Sequence, residues 1–446
     1  MPRKSVRLIQ TLLFCGFVFS APFSRAAITN REIYPKPPLP ALGPAGCVFR
    51  DPTFGSRLLH VTDAGTLADS GLRAGRFITT PLYGEPNAWN ADGSLFYLEG
   101  SGALLPFTFD RKRFRANQVE DTVAPDKKLV LRADQDATFS YNDPNSLYVK
   151  DRGTILRYDF SNRRFYSVLD LHAVSGASTR YLGPLSISAD EKLCLLLGGS
   201  GQESSHLILV YDVRKKTRRL LDTSASMIDG KLLPPAHRLG WLAHYAWIDK
   251  SGRYAVIMST GIYQLYVWDL NRQEVRKIEV YGHGRKTLGY GWMINDARPP
   301  GDLGPQYLLR SLDEKGINRP QLLMRPSGTH SFLYQSVLNW NHARPDQHIP
   351  VLVTTFNDAR RPLPPAPFTD EIFALATDGS GQVKRYAHHR SLYKGDWWDM
   401  PKGSVSQDGN FYLFTSNWEG TLGPGRRDVF LLELSTESQK PDPVHH

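Results

Sequence analysis

The segment IDKSGRYAVIMST (residues 248–260), followed by IYQLYVWDL (262–270), decides the fold of this 446-residue chain. It joins an Asp-containing turn, a hydrophobic strand, a break and a second hydrophobic strand that ends in Asp. Related units recur as NADGSLFYLE (90–99), YNDPNSLYVKDRGTILRYDF (141–160), SADEKLCLLLGG (188–199) with HLILVYDV (206–213), and SQDGNFYLFTSN (406–417) with DVFLLEL (428–434). Repetition at a period of roughly 35 to 50 residues is typical of propellers and solenoids, and the strand content favours the propeller. The pattern therefore predicts an all-β fold, a β-propeller.

Counting the turn-plus-strand unit gives seven blades. Their inner strands are predicted to begin near Trp89, Phe139, Leu185, Tyr245, Trp292, Trp340 and Val405. The fifth blade is the least regular, because the Pro-rich loop MINDARPPGDLG (293–304) replaces its turn. The lone strand SRLLHVTD (56–63) stands ahead of the first full unit. We expect it to complete the last blade, because that pairing removes two exposed strand edges and closes the ring.

The first residues are predicted to be a signal peptide. Basic residues precede a short apolar run (12–19), and small residues stand at Ser24 and Ala26, as at a signal-peptidase site. The predicted organisation is a signal peptide over 1–26, a Pro-rich arm over 27–55, one propeller domain over 56–434 and a polar tail over 435–446. We therefore expect a secreted or periplasmic protein.

The charge of the chain favours acidic partners. Its formal net charge is +10 at pH 7, and removing the four basic residues of segment 1–26 leaves about +6. Excess Lys and Arg on a secreted protein attract polyanions over long range. We expect an acidic polysaccharide or oligosaccharide as partner, with no nucleic acid, no membrane span and a monomeric protein.

Two cysteines remain after the predicted cleavage, Cys47 and Cys194. Export permits a disulfide between them. Cys194, however, lies in the apolar run LCLLLGG (193–199), which is typical of a buried strand. A packed free thiol is the favoured interpretation, and pairing stays open.

A propeller predicts where its chemistry lies. Every inner strand begins at the same rim of the central channel, so the residues just before these strands converge there. The polar residues predicted at this rim are Glu85, Asn87, Asp136, His244, His283, Asn341, His342, Arg344, His388, His389 and Arg390. A histidine beside a turn can equally well hydrogen-bond a carbonyl. The histidines are therefore candidates for a site or for structural roles.

A family resemblance enters with YAHHRS (386–391) and DMPKGSVSQDGNFYLFTSNWEG (399–420). This segment resembles the last blades of secreted seven-bladed polysaccharide lyases of the oligogalacturonate lyase kind, and more distantly the TolB-like propellers. In those lyases a histidine-rich stretch ahead of such a phrase supplies ligands for a divalent cation. The likeness covers about thirty residues, and the His-Pro-His spacing of the family is here His388-His389. Adjacent residues on a strand face opposite ways, so one of the two is expected to reach the channel.

The resemblance implies β-elimination on a uronate-containing poly- or oligosaccharide. Such a reaction needs a base for the proton beside the carboxylate and a cation for the carboxylate. Imidazole suits the base because its pKa lies near working pH, and Arg can meet a carboxylate with two hydrogen bonds. The implied roles are His244 as base, Arg344 and Arg390 as carboxylate clamps, and His342, His388 and His389 as candidate ligands of a divalent metal ion, Mn or Ca. Asn87 and His283 are predicted to bind substrate.

Tryptophans add a further candidate feature. Trp397 and Trp398, in the loop KGDWWDMP (394–401), look too exposed to be core and are predicted to form a floor for sugar rings. Trp340 and Trp418 lie nearby in the sequence, but propeller blades also bury Trp between their sheets.

Other enzyme classes leave little trace in the chain. It contains no nucleophile elbow, phosphate-cradling Gly loop or zinc-protease helix, and no carboxylate spacing marks a glycosidase pair. The alternative to a lyase is a non-catalytic propeller that binds a protein or a polyanionic glycan, because a fold alone does not decide function.

Overall fold

A computed structural model of the protein describes residues 28–70, 78–81, 87–100, 102–122, 124, 127–133, 137–175, 183–198, 205–261, 263–279, 286–297, 306–325, 335–347, 349–361 and 366–434. These residues form seven antiparallel sheets, each of them one blade of a ring. The predicted fold class, an all-β seven-bladed propeller, is confirmed.

The strands follow one another from the inner to the outer edge of each blade. The chain begins with β1 (Val48–Arg50) and β2 (Arg57–His60). Blade 1 contains β3 (Leu95–Gly100), β4 (Ala103–Asp110) and β5 (Arg115–Gln118), with Trp89 bridged to Phe96 on its inner side. Blade 2 contains β6 (Thr138–Phe139), β7 (Ser146–Asp151), β8 (Thr154–Asp159) and β9 (Arg164–Asp170). Blade 3 contains β10 (Ser186–Ile187), β11 (Lys192–Leu197), β12 (Leu207–Asp212), β13 (Thr217–Asp222), β14 (Met227–Ile228) and β15 (Lys231–Leu232).

The second half of the ring repeats this order. Blade 4 contains β16 (Ala243–Ile248), β17 (Tyr254–Ser259), β18 (Leu265–Asp269) and β19 (Glu274–Lys277). Blade 5 contains β20 (Lys286–Leu288), β21 (Trp292–Ala297), β22 (Gln306–Ser311) and β23 (Gln321–Met324). Blade 6 contains β24 (Gln335–Asn339), β25 (Val351–Phe356), β26 (Glu371–Leu375) and β27 (Val383–His388). Blade 7 contains β28 (Gly403–Val405), β29 (Phe411–Ser416) and β30 (Asp428–Glu433).

Helices are few and short in the described part of the chain. The α-helices are α1 (Ala64–Asp69) and α2 (His172–Ser175). Single 3-10 turns occur at Pro235–His237, Trp397–Asp399 and Trp418–Gly420. None of the described helices has the length and apolar character needed to cross a bilayer.

The hydrophobic runs reflect strands that are buried on both faces. In β17, Ala255 and Ile257 belong to the core shared with blade 3, whereas Val256 and Met258 belong to the core shared with blade 5. Alternate side chains point to opposite faces of a strand, so a strand between two neighbouring blades must be apolar at every position. This explains the continuous apolar run of the deciding segment.

The recurrent Asp turn fastens the first hairpin of the blades that contain it. In blade 4, one carboxylate oxygen of Asp249 accepts hydrogen bonds from the backbone N–H groups of Arg253 and Tyr254, at 3.1 and 2.8 Å. The other oxygen accepts from the N–H of Gly291 in blade 5 at 2.8 Å. Asp249 is buried, and burial raises its pKa. The Asp therefore holds both its own turn and the neighbouring blade.

The N-terminal strands close the ring as predicted. β2 pairs with β30, with Leu58 opposite Leu432, and so completes blade 7. β1 then adds a fifth strand to that blade. This strand lies within residues 27–55, which were predicted as a Pro-rich arm. A strand of three residues is too short to be recognised from the sequence pattern. The predicted signal peptide and tail lie outside the described residues.

Two inner strands differ from the prediction. We define the entry face as the side on which the inner strands begin and the exit face as the side on which they end. In blade 5 the inner strand is β20, and Trp292 instead begins the second strand, at the exit face. In blade 6 Trp340 follows β24 rather than opening it. Both blades lack the Asp turn that marks the other blades, so the sequence pattern did not locate their inner strands.

The loop after β24 crosses the channel at the exit face. Ala343 of this loop packs in the same buried cluster as Tyr141 of blade 2 and Leu185, which precedes the inner strand of blade 3. The segment WNHARPD (340–346) therefore covers the exit end of the channel instead of lining its entry.

The two cysteines do not pair. Cys47, partly exposed in the arm, and Cys194, buried in β11, are both free. Burial raises the pKa of the Cys194 thiol. The favoured interpretation, a packed free thiol at Cys194, is confirmed.

Candidate functional site

The linker from blade 6 to blade 7 places a tryptophan pair on the entry face. Trp397 and Trp398 begin a 3-10 turn whose N-cap is Asp396, and the Asp396 carboxylate accepts a hydrogen bond from the N–H of Trp398 at 3.0 Å. The side chain of Trp397 is exposed, with 38% of the residue surface accessible, and that of Trp398 is half-buried. We call this pair the tryptophan platform.

A buried arginine holds the platform in place. Arg427, from the loop before β30, donates to Asp396 at 2.6 Å and to Asp399 at 2.9 Å. Asn417 donates to the same Asp399 oxygen at 3.0 Å. The turn is thus tied at both ends to blade 7, which holds the backbone that carries the two rings. A rigid aromatic surface loses little conformational entropy when a ligand binds.

A lysine lies beneath the platform. The Nζ atom of Lys402 is 4.5 Å from the ring centroid of Trp397 and 5.0 Å from that of Trp398. Lys402 is buried and precedes the inner strand β28 by one residue. Such distances are typical of cation–π contacts. The site therefore combines an accessible aromatic face with a positive charge at the rim of the channel.

Lys402 was not selected from the sequence, although it occupies a position just before an inner strand. The predicted rim set contains Glu, Asp, Asn, His and Arg, but no lysine. Lys286, the first residue of β20, was missed for a second reason, because the inner strand of blade 5 was placed at Trp292. Its Nζ atom lies 3.4 Å from the ring centroid of Trp247. Correct strand assignment would have added Lys286 to the rim, and including lysine among the candidate residue types would have added Lys402.

His389 has a structural role at the outer junction of blades 6 and 7. Its Nε2 atom lies 2.9 Å from the carbonyl oxygen of Thr355, and its Nδ1 atom accepts from the N–H of Ser391 at 2.9 Å. Burial lowers the pKa of His389 to about 4. Both ring nitrogens are thus engaged by the protein, and the imidazole is neutral at ordinary pH.

His388 is fully buried at the same junction. Its backbone N–H donates to Asp51 at 2.9 Å, and its ring lies against Phe54. Neither ring nitrogen has a hydrogen-bond partner among the described residues. Burial, assisted by the Arg390 charge, lowers the pKa of His388 to about 3. His388 therefore faces the loop between β1 and β2, not the channel.

Arg390 fastens the N-terminal arm. Its side chain is buried, and its guanidinium donates to the carbonyl oxygen of Pro37 at 2.7 Å and to Glu419 at 3.2 Å. These contacts join the arm to the ends of blades 6 and 7. The prediction of Arg390 as a channel carboxylate clamp is not supported by this position.

His342 and Arg344 lie at the exit face. The Nδ1 atom of His342 accepts from the N–H of Tyr290 in blade 5 at 3.0 Å, and its ring stacks on Trp340 with centroids 4.6 Å apart. Arg344 is a surface residue, with 70% of its side chain exposed. Both were predicted at the entry rim, and the misplaced inner strand of blade 6 accounts for the error.

The three predicted metal ligands do not come together. His388 pairs with Glu371 at the end of blade 6 where β24 begins, whereas His342 lies beyond the other end of β24. His342 and His388 thus occupy opposite corners of one four-stranded sheet. The described residues contain no group of three or more His, Cys, Asp or Glu side chains that could hold a metal ion. Since Arg390 also adds positive charge beside His388, these residues do not fit the predicted Mn or Ca site.

Two predicted rim residues remain in the inner ring. His244 lies in β16 at the entry face, with its ring 4.0 Å from that of Tyr245 and 5.7 Å from that of Tyr263. Asn87 is buried, and its side chain donates to the carbonyl oxygen of Phe139 at 3.2 Å, joining blades 1 and 2. Asn341 is buried beyond the exit end of β24, and its side chain donates to the carbonyl oxygen of Val405 at 3.3 Å. The other rim candidates, Glu85, Asp136 and His283, lie outside the described residues.

A groove of about 600 Å³ lies between the arm and blade 7. Leu39, Leu42 and Leu422 contribute apolar walls, and His60 lies at its base. The imidazole of His60 is already engaged, by Asp428 at 2.9 Å and by the carbonyl oxygen of Gly43 at 2.8 Å. The groove is therefore concave, but it has few polar groups that are available to bind a ligand.

One solved structure shares this fold, and two further matches are weaker. The chain matches the crystal structure of an oligogalacturonate lyase from Vibrio parahaemolyticus with a TM-score of 0.53 and 11% identity, over 87% of this chain and 96% of that chain. It also matches hydrazine synthase of Kuenenia stuttgartiensis with a TM-score of 0.46 and 11% identity, over 80% of this chain and 98% of that chain. The WD40 repeats of RRP9 match with a TM-score of 0.45 and 15% identity, over 81% of this chain and 97% of that chain. No protein-family model and no curated protein matches the sequence. At these identities the likeness shows the fold alone.

Proposed function

We propose that this propeller binds an acidic saccharide on the tryptophan platform of its entry face. The observation that carries the proposal is the exposed Trp397 ring, which lies beside Trp398 and within 4.5 Å of the Lys402 ammonium group. The flat face of a sugar ring packs well on an indole, and a nearby cation favours a carboxylate-bearing sugar. The positive net charge of the chain adds long-range attraction for the same ligands.

Binding is tested by titrating the purified protein with oligogalacturonate and following tryptophan fluorescence and heat release. Trp397→Ala is expected to weaken binding about tenfold, because one aromatic contact is lost. The matched control is Trp292→Ala, because Trp292 is 39% exposed but lies at the exit face. Equal losses in both variants, or no binding by the parent protein, contradict the proposal.

A second candidate function is β-elimination on the bound saccharide. It is favoured by the fold shared with an oligogalacturonate lyase and by His244, a residue of base chemistry at the entry face. In that function His244 would take the proton beside the uronate carboxylate and a rim lysine such as Lys402 would stabilise the charge that develops there. The platform would then orient the substrate for this chemistry.

The two functions are separated by absorbance near ~235 nm, where the unsaturated uronate product of β-elimination absorbs. The protein is incubated with a panel of acidic polysaccharides, with and without chelator. A rise that His244→Ala abolishes supports the lyase, and its loss with chelator would require a metal site outside the described residues. A flat trace with intact binding leaves the binding propeller.

We also propose that the chain is exported, on the basis of the predicted signal peptide over residues 1–26. Export would bring the platform into contact with extracellular or periplasmic acidic glycans. N-terminal sequencing of the mature protein should then begin at Ala27. Retention of residues 1–26 on protein recovered from the cytoplasm would contradict this.

A further inference from the structure

A second exposed aromatic surface lies on the entry face, at blade 4. Leu242 is 43% exposed and Tyr263 is 36% exposed. His244 follows Leu242 by two residues, and its ring centroid lies 5.7 Å from that of Tyr263. We call these three residues the blade 4 corner. Large apolar side chains that share one exposed surface point to a contact with a ligand or partner.

Strand order places the blade 4 corner and the tryptophan platform on the same face. Leu242 directly precedes the inner strand β16, just as Lys402 directly precedes β28. Tyr263 lies between β17 and β18, and β17 runs back from the exit face to the entry face. The two surfaces therefore lie at the same mouth, with blades 5 and 6 between them around the ring.

The backbone of the corner is fixed in an uncommon conformation. Tyr263 has a φ of 53°, in the left-handed region that a tyrosine seldom adopts. The N–H of Thr260 donates to the carbonyl oxygen of Leu242 at 2.8 Å, tying the two loops of the corner together. Backbone strain of this kind costs about 1–3 kcal/mol and concentrates at functional sites.

The charge of the corner suits the proposed ligand. The described residues of segments 232–247 and 259–266 include no Asp or Glu, and the loop ahead of β16 carries the exposed residues His237 and Arg238. An acidic chain lying over these loops meets no like charge from them. The corner therefore matches the same ligand chemistry as the platform.

We propose that the blade 4 corner is a second saccharide contact, so that the ligand is an acidic oligosaccharide chain that spans the mouth of the propeller. The proposal rests on the proposed binding function and names the length class of its ligand. A single uronate occupies the platform, and a longer chain also reaches Tyr263 and Leu242. The second contact is then intramolecular, which raises affinity with chain length without a change at the first contact.

The experiment measures the affinity of the full protein for galacturonate monomer, trimer and hexamer by calorimetry. We expect affinity to rise with length. Tyr263→Ala should lower hexamer affinity about tenfold and leave monomer affinity unchanged, whereas Trp397→Ala should lower both. Leu242→Ala provides a second variant with the same expected selectivity. Tyr166→Ala is the matched control, because Tyr166 is 40% exposed on the outer strand of blade 2.

Three results overturn the inference, and they are distinguishable. If hexamer affinity is unchanged in both Tyr263→Ala and Leu242→Ala while Trp397→Ala weakens it, the binding function stands and the second contact is wrong. If Tyr166→Ala lowers hexamer affinity as much as Tyr263→Ala does, the effect does not come from the entry face. If no oligomer binds to the parent protein, both the binding function and the inference fail. Thermal unfolding of each variant verifies that it is folded.

Discussion

The linker between blades 6 and 7 contains two contrasting regions. Its first part, His388 to Arg390, is buried at the outer junction, and its side chains face the arm and the neighbouring blade. Its later part, Trp397 and Trp398, is displayed at the entry face and supported from below by Lys402. The residues with the more reactive side chains are the structural ones. Reactive residue types near a blade entry thus indicate a site only when strand position also places them at the mouth.

The largest expected effect is on the free energy of unfolding, at the buried ion pair of Arg385 and Glu371 beside the junction. It tests whether the buried part of the linker is structural. The guanidinium of Arg385 is fully buried, donates to Glu371 at 2.7 Å and donates to the carbonyl oxygen of Glu32 in the arm at 2.7 Å. Arg385→Ala leaves the Glu371 carboxylate buried without its partner, which costs about 3–5 kcal/mol. Urea unfolding measures the loss. A change below about 1 kcal/mol would mean that the junction is not structural.

The next effect is a dependence of stability on pH. Burial holds the pKa of His388 at about 3 and that of His389 at about 4 in the folded chain, against about 6.5 when unfolded. Below pH 6.5 these two histidines take up protons in the unfolded chain but not in the folded chain, so their contribution to stability falls as pH decreases. The contribution of Glu371, whose pKa burial raises to about 7, has the opposite sign. Between pH 7 and pH 5 the loss is about 2 kcal/mol for each histidine.

The variant that checks this dependence is His388→Phe, which places an apolar ring beside Phe54. Comparing its unfolding free energy with that of the parent protein at both pH values cancels the contributions of other groups. The variant should lose about 2 kcal/mol less than the parent on acidification. Identical losses in both proteins would show that His388 is already free to protonate in the folded state.

A smaller effect, on ligand affinity rather than stability, is expected at the platform. Lys402→Met keeps an unbranched side chain beneath the two tryptophans but removes the charge. Binding of an acidic saccharide should weaken about tenfold and become less sensitive to salt, since an attractive charge is lost. Titrations at low and high ionic strength measure both changes. An unaltered salt dependence would mean that Lys402 supports the platform without attracting the ligand.

The smallest effect is expected at Arg344, for which the family resemblance implied the role of a clamp for the substrate carboxylate. Its side chain is 70% exposed at the exit face and lies 3.7 Å from Asp346. Arg344→Ala should change the free energy of unfolding by less than about 0.5 kcal/mol and leave saccharide binding unaltered. A loss of binding in this variant would place the ligand on the exit face and reverse the contrast.

The sequence predicted the architecture because local chemistry repeats with the blades. An Asp turn such as that of Asp249 and a strand with apolar residues on both faces are visible without three-dimensional information. The site was harder to predict, because a shift of one strand moves a residue from one face to the other. Blades 5 and 6 lack the Asp turn, so Lys286 was missed and His342 was placed on the wrong side.

The burial of His388 could not be predicted from local pattern at all. It depends on Asp51 and Phe54, which lie more than 300 positions away in the chain and reach the junction only through ring closure. Sequence spacing carries no signal for such a contact. The exposure of Trp397 was predicted correctly, because two adjacent tryptophans in a loop between strands lack the alternation of a buried strand, and its role in sugar binding stays a prediction.

The pairing of β2 with β30 determines when folding of the ring can be completed. β2 is made before any full blade and β30 is the last strand of the seventh, so the N-terminal strand must wait for nearly the whole chain before it finds its place. Contacts between such distant segments form slowly, and unpaired edges are exposed meanwhile to aggregation. Chains cut short before β30 would carry an orphan strand at one end and an incomplete sheet at the other. Only a complete chain can therefore close the ring and bury both of these strand edges.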